Sequence, residues 1–176
     1  MTKKLLDFCL SFFALVVLSP VMLLIGCLVS LSSTGPILYW SDRVGRNNEI
    51  FKMPKFRSML IDTPSVATDL LTNPEEWVTP IGILLRKTSL DELPQMWSIL
   101  TGKMSFVGPR PALFNQYDLI ERRTKAGVHA LLPGLTGLAQ IKGRDHISLD
   151  EKLSLDIEYL KTRSFLFDLY IIAKTF

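Results

Sequence analysis

The distribution of hydrophobic and polar residues divides the chain into two parts. No charged residue occurs from Phe8 to Ser41, and Phe8 to Leu31 is an almost unbroken apolar run. As a helix, this run of about 24 residues would be roughly 36 Å long, enough to cross a bilayer. A removable signal peptide fits poorly, because the run is too long and no small-residue cleavage site follows it. The pattern therefore predicts a membrane helix within residues 1–41.

Two features of this segment favour a helix that enters the membrane and returns. Proline removes a helical hydrogen bond in the middle of the run, at Ser19-Pro20, where the serine hydroxyl can satisfy the freed carbonyl. Basic residues flank both ends, which the positive-inside rule would place on the cytoplasmic side: Lys3 and Lys4 before the run, then Arg43, Arg46, Lys52, Lys55 and Arg57 after it. A re-entrant helix broken at Ser19-Pro20 satisfies both observations. A kinked spanning anchor stays open, since spanning helices tolerate proline.

The remaining residues, 42–176, predict one compact α+β domain that is mostly helical and packs with the membrane helix as one unit. Glu49 to Leu60 is expected to be extended, with Pro54 limiting it to an edge strand and with Lys55 and Arg57 on one face. Periodicity predicts four helices, at Ile81–Lys87, Glu92–Leu100, Ala112–Gly127 and Ser148–Thr162. A capping box, Ser148-x-x-Glu151, opens the last of them. The apolar end, Ser164–Phe176, is too short to span and is either core or an amphipathic helix at the membrane interface.

Composition excludes several classes of function. A net charge of +3 and a pI near 8.9, without a basic run, give no sign of a nucleic-acid partner. Both cysteines, Cys9 and Cys27, lie inside the apolar run, which fits a reducing compartment and no disulfide framework. The two histidines, His129 and His146, lack zinc-ligand spacing to cysteine. Neither a P-loop nor a G-x-G-x-x-G fingerprint is present.

The stretch LRKTSLDELPQ, Leu85 to Gln95, places two carboxylates side by side at a predicted helix start. Ser89 and Glu92 match the S-x-x-E capping box, and acids in a first turn suit the helix dipole. With Asp91 as the cap instead, Pro94 would fall at the third helical position, where no backbone bond is lost. The capping interpretation is the stronger one for this stretch by itself; the alternative is a reaction centre. The stretch by itself leaves both interpretations open.

Two later turns carry arginines among prolines and glycines. SFVGPRPAL holds Arg110 between two prolines, and the glycine-punctuated loop from Leu131 ends on Lys142 and Arg144. A guanidinium that binds phosphate through two parallel hydrogen bonds benefits from being held in place. These turns are therefore candidate phosphate-binding elements.

Taken together, the motifs resemble a known family. They occur in a fixed order: the apolar run with Ser19-Pro20, KFRSM at Lys55–Met59, RKTSLDELPQ at Arg86–Gln95, SFVGPRP at Ser105–Pro111, and PGLTGLAQIKGR at Pro133–Arg144. The chain closely resembles the bacterial sugar transferases, in particular the small monotopic phosphoglycosyl transferases of the PglC type. The resemblance implies transfer of a sugar 1-phosphate from a UDP-sugar to polyprenyl (undecaprenyl) phosphate, with release of UMP. This reaction starts glycoconjugate assembly on the cytoplasmic face of the bacterial inner membrane, in contact with its lipid.

The resemblance also implies roles for individual residues. Asp91 would be the nucleophile that forms a phosphosugar-aspartyl intermediate, and it would hold a Mg²⁺ ion. Glu92 would assist the acceptor half-reaction as a base or positioning group. The family's basic residues around the phosphates and nucleotide correspond to Arg86, Arg110, Arg144, Lys55 and Arg57. Two alternatives are a UDP-sugar hydrolase, in which water resolves the same intermediate, and a non-catalytic membrane-associated scaffold of the same fold.

Overall fold

The computed structural model describes residues 2–64, 73–143 and 147–175. Within these ranges the α-helices are α1 (Thr2–Ser32), α2 (Pro80–Thr88), α3 (Met96–Leu100), α4 (Tyr117–Lys125), α5 (Leu138–Lys142), α6 (Leu149–Thr162) and α7 (Phe165–Thr175). The strands are β1 (Leu38–Val44), β2 (Ile50–Phe56), β3 (Ser105–Val107) and β4 (Gly134–Thr136). Short 3₁₀ helices cover Arg46–Asn48, Pro74–Trp77, Leu90–Gln95 and Val128–Ala130. The architecture agrees with the α+β, mostly helical prediction.

The long first helix continues through its proline. Helix α1 contains Pro20 as an interior residue, so the prediction that the helix breaks at Ser19-Pro20 is wrong at the level of secondary structure. The reason is local: proline cannot bond to the carbonyl of Val16, four residues before it, and the Ser19 hydroxyl donates to that carbonyl at 2.8 Å. Among the described residues, α1 is the helix long and apolar enough to cross a membrane, by length and composition alone.

One face of α1 lies against the rest of the protein from end to end. At its start, Lys3 Nζ donates to the backbone carbonyl of Val107 at 2.9 Å and pairs with Asp168 at 2.6 Å. Near its end, Val29 is fully buried and packs in a cluster with Phe56. The outer face is exposed and apolar; it includes Leu5, Phe8, Phe12, Phe13, Val16, Val17, Leu23, Leu24 and Leu31. Both ends of the helix therefore contact the same domain, while an apolar stripe is left outside.

Two small sheets organise the domain. Strands β1 and β2 pair antiparallel, with Trp40 opposite Pro54. Pro54 thus lies in a two-stranded sheet, as predicted for an edge strand. Strands β3 and β4 pair parallel, and just beyond β3 the chain crosses so close to β4 that a Cβ atom on Gly134 would overlap the backbone of Gly108. This close approach fixes the path of the turn that follows Gly108.

The predicted helices are confirmed in two cases. Helix α2 matches the predicted 81–87 helix, and α6 matches the predicted 148–162 helix. The Ser148 hydroxyl accepts a hydrogen bond from the Glu151 amide at 3.2 Å, as the capping box requires.

Two other helices begin differently from the prediction. The predicted 92–100 helix starts as a 3₁₀ segment and becomes α-helical at Met96. The predicted 112–127 helix is wrong over its first residues, and α4 covers only Tyr117–Lys125. Its expected start pairs with the β1–β2 hairpin instead: the Val44 amide donates to the Ala112 carbonyl at 2.9 Å, and Arg43 and Leu113 form a bridge. This long-range pairing takes precedence over local helix propensity.

The last helix, α7, has one buried face and one exposed apolar face. Ile171 is fully buried in a cluster with Tyr159 and Leu138. The other side of the helix exposes Phe165, Leu166, Leu169 and Tyr170. One face is therefore core, and the other is an apolar surface of the kind that suits a membrane interface.

Candidate active site

The two adjacent carboxylates do not form the predicted capping box. Ser89 has a positive φ of 58° and ends α2, and its side chain caps no helix. A residue in this left-handed conformation cannot take the extended shape of a helix N-cap. Asp91 is not the cap either, because it lies inside the 3₁₀ segment Leu90–Gln95. The capping interpretation is thus wrong, and the carboxylates lie on a tight turn between α2 and α3.

Glu92 is held by two cations. Its Oε1 atom lies 2.7 Å from Lys55 Nζ and 2.9 Å from Arg110 Nη2, and only 17% of its side chain is exposed. Burial alone would raise the pKa of Glu92, but the charges of Arg110 and Lys55 outweigh it and lower the pKa to about 2. Burial also lowers the pKa of Lys55, an effect that the charge of Glu92 opposes. Glu92 is therefore a carboxylate at any physiological pH.

Asp91 lies in a contrasting environment. The residue is 7% exposed, and burial raises the pKa of its carboxyl group above the ordinary value. The positive charges of Lys55 and Arg86 oppose this shift, whereas the negative charge of Glu92 adds to it. The surroundings thus push the pKa values of the two neighbouring carboxyl groups in opposite directions, which is a common sign of divided roles in catalysis.

The turn that carries Arg110 is fixed by hydrogen bonds to four consecutive carbonyls. The Gly134 amide donates to Pro109 at 2.9 Å, and the Val44 amide donates to Ala112 at the same distance. Between them, two guanidinium groups donate through Nη1: Arg123 to the Arg110 carbonyl at 2.8 Å and Arg43 to the Pro111 carbonyl at 3.1 Å. The rigidity expected from the flanking prolines is therefore reinforced by contacts from three other parts of the chain.

Neither Arg43 nor Arg123 was predicted as part of the site. Burial lowers the pKa of Arg43 to about 10, with the nearby charge of Arg110 contributing. Arg123 lies four residues after Leu119 and is buried beside it on the inner face of α4. A cation on the apolar face of a predicted helix was the available signal, because such a charge needs a buried partner.

The other predicted site residues are distributed as follows. Arg86 is in the last turn of α2, where its charge acts on Asp91. Arg57 is not brought to the site, contrary to the prediction: its guanidinium donates to the carbonyls of Ser33, at 2.7 Å, and Thr34, just beyond the end of α1. Strand β2 ends at Phe56, so Arg57 no longer shares a face with Lys55. Arg144, like His146, lies outside the described residues.

The turn offers a divalent cation one carboxylate, that of Asp91, which forms no ion pair with another described residue. Within residues 2–64, 73–143 and 147–175, no cluster of three or more histidine, cysteine or acidic side chains could hold a metal. Glu92 is already paired with two cations, which leaves Asp91 as the candidate ligand at the turn. Mg²⁺ commonly uses one or two carboxylates and completes its shell with water and substrate phosphates. The residues present fit that kind of site.

Comparison with known proteins identifies the family. A family model described as bacterial sugar transferase matches residues 1–176. The chain belongs to the bacterial sugar transferase family. The family predicted from the ordered motifs is thereby confirmed, and the acidic turn, Lys55 and the Arg110 turn of this sugar transferase all fall within the match.

Individual relatives support the same assignment. The exopolysaccharide production protein ExoY of Sinorhizobium fredii is 39% identical, over 99% of this chain and 83% of ExoY. The undecaprenyl-phosphate galactose phosphotransferase of Salmonella typhimurium is 36% identical, over 98% of this chain and 39% of that protein. The UDP-glucose:undecaprenyl-phosphate glucose-1-phosphate transferase of Escherichia coli is 39% identical over the same two shares. The sugar transferase thus spans most of ExoY and about two fifths of the other two relatives.

Proposed function

We propose that the protein transfers a sugar 1-phosphate from a UDP-sugar to polyprenyl phosphate, releasing UMP, as the first membrane step of polysaccharide or other glycoconjugate synthesis. The observation that carries the proposal is a buried aspartate, Asp91, next to a Glu92–Lys55–Arg110 ion-pair cluster on a tight turn. The names of two relatives, undecaprenyl-phosphate sugar transferases, support the class of donor and acceptor.

Asp91 acts as the nucleophile in the first half-reaction. One carboxylate oxygen attacks the sugar-bearing phosphorus of the UDP-sugar, and the bond from that phosphorus to the bridging oxygen breaks. UMP leaves with the bridging oxygen and its electron pair, and the sugar phosphate stays on Asp91. In the second half-reaction an oxygen of polyprenyl phosphate attacks the same phosphorus, which releases the Asp91 carboxylate and yields polyprenyl diphosphosugar.

Attack by one anion on another requires nearby positive charge. Lys55 and Arg110 are already fixed beside the carboxylates, and Arg86 adds its charge to the field at Asp91. Cations held in place before the reaction stabilise charge that develops on the phosphoryl oxygens without reorganising during it. A Mg²⁺ ion held by Asp91 would, when bound, neutralise the diphosphate further.

The ion pairs favour a positioning role for Glu92 over that of a base. A carboxylate with a pKa of about 2 is a weak base, because general bases work best with pKa values near the operating pH. The acceptor also needs little help, since a phosphate monoester with a second pKa of about 6 is mostly dianionic at pH 7. Glu92 therefore orients Lys55 and Arg110, through a single oxygen atom, toward the phosphates.

The test of this function is acceptor-dependent release of UMP. Purified protein with Mg²⁺ and a panel of UDP-sugars should release UMP from one or a few of them, over many turnovers only when undecaprenyl phosphate is present. Turnover that ignores the acceptor would indicate a hydrolase instead. Absence of UMP release with every donor, in protein that melts cooperatively, would favour a non-catalytic scaffold.

The contacts of α1 support a membrane-inserted, monotopic arrangement. Lys3 and Val29, near opposite ends of the helix, both contact the same domain. If α1 crossed the bilayer, its two ends would lie on opposite sides of the membrane, and one domain could not contact both. The apolar outer face is left to contact lipid. We infer that α1 enters the cytoplasmic leaflet of the bacterial inner membrane with both ends facing the cytoplasm.

Cysteine labelling tests this topology. In a background with Cys9 and Cys27 replaced by alanine, single cysteines at Thr2→Cys and Asn47→Cys should both resist an impermeant maleimide in spheroplasts and react after permeabilisation. Labelling at position 2 alone in the sealed spheroplasts would contradict the inference and indicate a spanning helix.

A further inference from the structure

A buried ion pair contacts the backbone of the turn that carries Arg110. Arg123 on α4 donates through Nε and Nη2 to one oxygen of Asp156 on α6, at 2.9 and 2.6 Å. Its third nitrogen, Nη1, donates to the backbone carbonyl of Arg110 at 2.8 Å. The side chains of Arg123 and Asp156 are only 9% and 3% exposed. One guanidinium thus joins two helices to the single residue between the prolines.

The cost of burial argues against stability as the pair's only purpose. Removing two charges from water costs several kcal/mol, and well-packed apolar side chains of similar size often stabilise a protein as well or better. The geometry offers a more specific reason. A planar guanidinium can bind a carboxylate along one edge and a carbonyl with its remaining nitrogen, which the single ammonium group of lysine cannot reproduce.

We propose that Arg123, oriented by Asp156, is a positioning residue for Arg110. The proposal rests on the function proposed above. Arg123 holds the carbonyl of Arg110, and the side chain of the same residue reaches Glu92 at 2.9 Å. The carbonyls on either side are held by Gly134 and Arg43, so the contact from Arg123 lies between these two. Loss of this contact lets the Arg110 side chain move relative to the carboxylates, and misplacement of about 1 Å costs on the order of 10²-fold in rate.

A double-mutant cycle separates positioning from general support of the fold. Arg123→Lys keeps the charge beside Asp156 and removes the fork. It should lower kcat/KM for the UDP-sugar by roughly 10- to 100-fold in the parent. In an Arg110→Lys background, where there is no guanidinium left to position, the same change should cost no more than about 3-fold. Equal losses in both backgrounds would overturn the proposal, since they would show that Arg123 acts independently of Arg110.

The adjacent arginine provides a matched control. Arg122 is on the same helix but pairs at the surface with Asp118 and Asp150. Arg122→Lys should leave kcat/KM and the thermal midpoint unchanged. Asp156→Asn should reproduce the effect of Arg123→Lys more weakly, because an amide oxygen can still accept from the guanidinium but carries no charge.

Hydrogen exchange gives a second readout that needs no activity. The amides of Gly134 and Val44 donate hydrogen bonds to carbonyls of the Arg110 turn, so their exchange rates report how often these hydrogen bonds break. Arg123→Lys should speed exchange in peptides containing these amides, and Arg122→Lys should not. Unchanged exchange in Arg123→Lys would overturn the proposal, whatever the activity. If Arg123→Lys exchanges faster but the parent protein never releases UMP, Arg123 does stabilise the Arg110 turn, and the proposed transferase function is rejected.

Discussion

Asp91→Asn is expected to abolish both sugar-phosphate transfer and the covalent intermediate. Incubation of the parent protein with its UDP-sugar and Mg²⁺, without acceptor, should increase the intact mass by one sugar phosphate. Peptide mapping should place the adduct on the peptide containing Leu90–Gln95. The asparagine variant has no nucleophilic carboxylate, so its rate should fall by at least about 10⁴-fold. Its fold should survive, because Asn matches the shape of Asp and the site already disfavours the charged form.

Glu92→Gln is the informative companion of this variant. It should turn over slowly yet still form the adduct, because Glu92 orients cations and makes no bond to phosphorus. An adduct that forms on Glu92, or an Asp91→Asn variant with near-parent activity, would contradict the assigned roles.

The pH dependence of adduct formation gives a further check on the pair. Attack requires ionised Asp91. In the protein without bound metal, burial and the charge of Glu92 raise the pKa of this carboxyl group, so at a fixed Mg²⁺ concentration the rate is expected to fall toward acid pH as Asp91 takes up a proton. Glu92→Gln removes one of the raising influences and frees the charges of Lys55 and Arg110. The acid limb of the Glu92→Gln profile should therefore lie at lower pH than that of the parent. A limb at higher pH would show that this electrostatic account is wrong.

Arg110→Lys is expected to reduce kcat/KM by roughly 10²-fold, the usual cost of losing one donor that stabilises the transition state. The lysine ammonium keeps the charge but cannot form two parallel hydrogen bonds to a phosphate. The thermal midpoint should stay within a few degrees of the parent, since the contacts that hold this turn are to backbone carbonyls and do not involve the replaced side chain. Steady-state UMP release and a thermal melt measure both quantities.

An exposed arginine in the β1–β2 hairpin serves as the control. Arg46→Lys should be neutral in the same assays, since Arg46 lies at the surface between the two strands. Arg110→Lys with parent activity would mean that Arg110 is an ordinary surface arginine.

Local sequence signals were sufficient to predict those parts of the structure that depend on residues close together in the chain. The capping box of α6 follows from Ser148 and Glu151, three residues apart. The replacement hydrogen bond at Pro20 comes from the residue before it, as the Ser19-Pro20 pair indicated, although this bond lets the helix continue. The long apolar helix and the family also followed from runs and motifs along the sequence.

Contacts between distant residues, and backbone conformations that spacing does not reveal, account for the errors and for the partners that were not predicted. Ser89 matched a cap by spacing, yet α2 ends on it in a left-handed conformation that spacing cannot reveal. Lys55 meets Glu92 across 37 positions, and Arg123 meets Asp156 across 33. Arg57 was grouped with Lys55 on strand periodicity, but the end of α1 lies within its reach and takes its guanidinium. Such partners are set by tertiary packing, which a single sequence does not display.

The attachment of α1 has a consequence for the height of the active site above the membrane. Arg57, which donates to the carbonyl of Ser33 just after α1, is two residues from Lys55. Val107, which accepts a hydrogen bond from Lys3 at the start of α1, is three residues from Arg110. The two cations that face Glu92 are thus each connected through a few residues to α1, Lys55 to the end of the helix and Arg110 to its start. With α1 inserted in the lipid as proposed, the depth of the helix determines the height of both cations above the membrane and places them at the level of the acceptor's phosphate. The membrane then acts as part of the site's scaffold, and a soluble donor is brought to a fixed plane where the lipid-linked acceptor already lies.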